Sequence, residues 1–89
     1  MINIRELTKD ICKENKITDI NAIIVEDVVI MLSKLVSEDY LKPILYKTIN
    51  EIIEDVNLTS GIEDNGTYTN DDLKMSIGRI ITYKIGIEL

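Results

Sequence analysis

The sequence predicts an all-α fold, a small compact bundle of three to four helices. Three observations carry this expectation. Apolar residues recur at helical spacing over most of the chain, and helix-start signals stand in front of these runs. Turn-forming residues gather in one long break, between Thr59 and Thr69. With 89 residues, 45% of them apolar, positions 1–89 suffice for one domain with one modest core.

The first helix is expected from Ile4 to Asn15. Asn3 followed by Glu6 is a variant of the capping box, in which a side chain satisfies a backbone donor of the first turn. Ile4, Leu7 and Ile11 share one face, with Cys12 at its border. Arg5, Lys9 and Lys13 form a row at i,i+4, and Glu6, Asp10 and Glu14 form the next.

The second helix is expected from Asp19 to Val36, with Thr18 or Asp19 as its cap. Its Ile and Val content also suits a strand. The polar residues decide for a helix, because Asp19, Glu26 and Ser33, then Asp27 and Lys34, recur at seven. This element is apolar almost all round, and three neighbouring helices cannot cover it on every side.

Leu45, Ile49, Ile52 and Val56 set a third helix, expected from about Leu41 to Asn57. Pro43 lacks an N–H and is placed in the first turn. The fourth begins at Thr69 or Asn70, with Asp72 completing a capping box. Leu73, Ile77, Ile80 and Ile81 form its inner face, and Gly86 ends it.

The residue inventory argues against catalysis. With no histidine there is no imidazole acid or base and no Ser-His or Cys-His pair. A single cysteine and no histidine make no zinc site. Cys12 reads as a buried, inert thiol. The four glycines are too dispersed for a nucleotide-binding loop. No cofactor and no small-molecule ligand is expected. No apolar run is long enough to span a membrane, and the first residues lack a signal-peptide pattern, so a cytoplasmic location or a particle assembled there is expected. A pI near 4.5 disfavours nucleic acid as a direct ligand.

The charge is concentrated. Glu51, Glu54, Asp55, Glu63, Asp64, Asp71 and Asp72 stand in one stretch with no Lys or Arg, a net −7 within an overall −6. Three readings of this stretch stand: a solvated loop, a docking patch for a basic partner, and a divalent-cation loop. The last rests on Gly61 to Asp72, where Asn65-Gly66 fall at the fifth and sixth positions of a calcium loop. Gly61 replaces the usual first Asp. Gly78 lies inside the fourth helix, where glycine costs about 1 kcal/mol against Ala, and close approach of another backbone would explain it. Arg79 beside it would then reach an acid on that neighbour.

A long helix such as Leu41 to Asn57, a loop and a closing helix such as Asp71 to Ile85 resemble the small helical head–tail connector proteins of tailed phages. The resemblance covers about the last half of the chain, as a helix pattern and not a motif. It implies a subunit of a ring and carries over no functional residue. The expected function is therefore a non-enzymatic interaction or assembly protein, an oligomeric subunit buried in part against another chain through the second helix or the Ile87–Leu89 tail. The alternative is a small acidic inhibitor or regulator that binds a basic surface of a host protein through residues 51–72.

Overall fold

In the computed structural model, residues 3–63 and 67–86 are described, with the backbone alone at 61–63. Four helices follow one another: α1 (Ile4–Glu14), α2 (Asp19–Ser33), α3 (Glu38–Glu63) and α4 (Asn70–Ile85). This is the small all-α bundle that the periodicity predicts.

The caps act largely as their residue types dictate. Asn3 opens α1 by accepting the N–H of Glu6. α1 closes with the N–H of Ile17 on the Cys12 carbonyl at 2.9 Å and that of Lys16 on the Lys13 carbonyl at 3.4 Å. This is a Schellman turn, and it puts Lys16 at φ 55, the left-handed region that glycine favours. Thr18 precedes α2 without a side-chain cap bond. Thr69 and Asp72 form the full reciprocal capping box of α4, and Gly86 ends that helix at φ 79.

α3 differs most from the expectation. It starts at Glu38, where the Ser37 carbonyl accepts from Tyr40 and Leu41, so Pro43 falls one turn further in. The ring removes one ladder bond, to Asp39. Both residues are exposed, which leaves that carbonyl to water. At its other end α3 runs on to Glu63, through the turn formers Ser60 and Gly61. Burial overrides propensity here, since Ser60 follows Val56 on the inner face and is itself buried.

One core joins all four helices. Ile11 comes from α1, Val25, Val28, Val29 and Leu32 from α2, Leu45, Ile49 and Ile52 from α3, and Leu73, Ile77 and Ile81 from α4. α3 packs most extensively on α4, and α1 on α2. The molecule measures 35 × 29 × 18 Å.

Candidate functional site

The concentrated acidity of the sequence does not fold into one open patch. Glu51 and Asp55 lie one turn apart on α3 and face α4. The Arg79 guanidinium donates to Asp55 Oδ2 at 2.6 Å, and Lys84 Nζ reaches Glu51 Oε1 at 2.9 Å. Burial pulls the Asp55 carboxyl up, but the bond from Arg79, a smaller contribution from Ser76 and the Arg79 charge outweigh it and hold Asp55 below its ordinary range. Ser76 Oγ is buried and closes no hydrogen bond of good geometry, so Arg79 is the firmer partner. Glu51 is lowered by its bond from Lys84, against a burial effect of opposite sign.

Asp72 is also engaged. Its Oδ2 accepts the Thr69 N–H at 3.0 Å, while its own N–H donates to Thr69 Oγ1 at 3.1 Å. Glu54 and Asp71 are exposed, Asp71 in the first turn of α4 where the helix dipole favours an acid. The Glu63 side chain and Asp64 lie outside the described residues, as does the Ile87–Leu89 tail. Glu51, Glu54 and Asp55 do share a groove of about 210 Å³ with Leu58 and Ile80, but two of its three acids are paired to α4.

A calcium loop over Gly61 to Asp72 does not fit. Its first three positions continue α3, and the carboxylate at its twelfth, Asp72, caps α4. Among the described residues no group of three or more acids and cysteines could hold a metal ion. No helix is long and apolar enough to cross a membrane, again among the described residues.

Gly78 meets nothing within 4 Å of where a Cβ would stand, so among the described residues no backbone outside its own helix approaches it. Close approach within the fold is therefore not the reason for this glycine. Gly78 instead lines, with Leu35, Lys74 and Ile77, an apolar groove of about 200 Å³. Arg79 does reach an acid on a neighbouring helix, and that acid is Asp55. Cys12 is partly buried; burial first, then the Asp19 charge, pushes its thiol up and away from the reactive thiolate.

One feature escaped the sequence reading, and one was legible only in part. The first is a tether: the Tyr68 hydroxyl donates to Asp27 Oδ2 at 2.6 Å, across 41 positions, and fixes the segment before α4 onto α2. Burial, then the bond to Asp27 and its charge, raises the phenol far above its usual range. The second is the bare outer side of α2. Ile20 is 87% exposed and Ile23 67%, while Ile24, Val25, Val28, Val29 and Leu32 on the opposite side are buried. The excess of apolar residues was legible, but which isoleucines stay bare depends on where α1 and α3 dock.

No protein-family model, curated protein or solved structure matches the chain significantly.

Proposed function

We propose that the chain is a non-enzymatic interaction and assembly protein that associates through apolar surface. The bare isoleucines of α2 carry this reading. Water-exposed Ile side chains on a helix whose other side is core leave burial free energy unrealised, at roughly 25 cal/mol per Å². Leu35, just beyond α2, and Met75 on α4 are also exposed, at 47% and 64%. A ring subunit of the phage connector type is one form such a protein takes, resting on the helix order of the second half alone. The acidic-inhibitor alternative is less well supported, because α4 engages Glu51 and Asp55 and the capping box engages Asp72.

Sedimentation equilibrium from micromolar to millimolar protein tests the reading. Mass above that of one chain, retained at high salt, is expected, since apolar association is insensitive to screening. A monomer throughout overturns self-assembly. Binding to a basic protein that vanishes with salt would favour the inhibitor instead.

A further inference from the structure

α2 and α4 leave a groove between them. Met31, Leu73 and Lys34 line a hollow of about 270 Å³. One turn further along α4, Ile77, Gly78 and Lys74 line the next, of about 200 Å³. Both lysines are exposed and have no ion-pair partner among the described residues. Asp27 stands at the far end of the first hollow, its carboxylate engaged by Tyr68. Inside a helix Gly78 costs about 1 kcal/mol against Ala, and nothing among the described residues takes up the room it leaves.

The start of α2 is a ridge. Ile20 and Ile23 are exposed by 87% and 67%. Asp19 and Glu26 lie one turn before and one turn after Ile23 on its side of the helix. Both acids are exposed, and neither has an ion-pair partner among the described residues.

We infer that the ridge of one copy seats in the groove of the next, head to tail. The isoleucines meet an apolar floor, and the two acids meet the two lysines. The lengths agree as well. Asp19 to Glu26 spans about 11 Å of helix, and the groove follows α4 from Asn70 to Gly78 over about 12 Å. The acids bound the seated stretch, so one register both pairs the charges and buries the isoleucines.

Mutual seating of two copies is disfavoured. It would run their α2 helices antiparallel about an axis midway between Ile23 and Met31, at Asp27, and set two carboxylates together. Each added copy therefore presents a free groove or a free ridge, and the contact continues as a filament or closes as a ring. This inference rests on the assembly reading and names the two surfaces that carry it.

Sedimentation equilibrium of variants decides. The wild-type chain is expected to exceed twice its 10.1 kDa as concentration rises. Ile23→Asp spoils the ridge and keeps the groove, while Gly78→Leu fills the groove and keeps the ridge. Each alone should weaken association at least about tenfold. Mixed in equal amounts, they should form a complex of two chains that grows no further, because one sound ridge and one sound groove remain to meet. Should Gly78→Leu fail to fold, the double variant Lys34→Glu, Lys74→Glu replaces it with the same expected outcome. Wild-type mass retained by either variant, or a mixture without the two-chain complex, would overturn the contact and leave the assembly reading intact. A wild-type chain that stops at two copies would overturn the head-to-tail arrangement. A wild-type monomer at all concentrations would overturn both.

Discussion

Lys16 shows how one residue can act against its local backbone. The Schellman turn after α1 needs a left-handed residue at that position, and the chain supplies a lysine at φ 55. Such a conformation costs an L-residue roughly 1–2 kcal/mol and glycine almost nothing. Lys16 is exposed, so its side chain has little packing to lose. Lys16→Gly is therefore expected to stabilise the fold by about 1 kcal/mol, net of the extra freedom glycine has when unfolded. Urea denaturation checks this, and a lower midpoint would mean that the lysine side chain contributes something the geometry does not show. Gly86 is the contrasting case: it occupies the same region at φ 79 with the residue suited to it.

At the scale of elements, the Tyr68–Asp27 bond links the segment before α4 to α2. Tyr68→Phe keeps the ring and removes the bond. It should cost about 1.5 kcal/mol, the low end for a bond to a charged group, because the pair is only partly buried. The tether also gives a pH signature. A phenol raised in the folded state keeps its proton where the unfolded chain, with a value near 10.0, loses it. The unfolded state then binds fewer protons, so stability falls as pH rises above that value. Thermal melts in alkaline buffer should show this slope, and Tyr68→Phe should flatten it. Nothing in the sequence marks Tyr68 as the partner of Asp27, because no local rule links residues 41 positions apart. The ends of α4 were fully legible, since Thr69, Asp72 and Gly86 act on their own neighbours. The end of α3 was not. Ser60 and Gly61 read as turn formers, yet α3 runs through both, with Ser60 buried on the inner face behind Val56.

At the scale of the molecule, the charge pattern changes meaning on folding. Glu51 and Asp55 belong to a stretch of net −7 in the chain, yet in space they meet the cations of α4. Both carboxyls are held below their ordinary values of 4.5 and 3.8. A lowered value stabilises the fold above the unfolded value, and that contribution is lost as pH falls through the folded one. Acid titration should therefore loosen the α3–α4 contact only below about the unperturbed carboxylate range. The Asp55–Arg79 pair is half-open to solvent at Arg79, so its contribution is within roughly 0.2–1 kcal/mol. Arg79→Met should raise the Asp55 midpoint, because burial then acts without its counterweight. A carboxyl titration followed by NMR would read that shift, and an unmoved Asp55 would show that the pair does not hold in solution.

The sequence by itself determined that the chain is helical, where most helices start, and that the second is too apolar for its neighbours to cover. Periodicity and capping are interactions within a few residues, so they are written locally. Only the tertiary structure decided which acids face cations, that Gly78 has open space beside it, and that Ile20, Ile23 and Ile30 remain on the surface with Asp27 and Lys34 between and beyond them. Those outcomes depend on the rotation of each helix against the others, which the whole core sets at once.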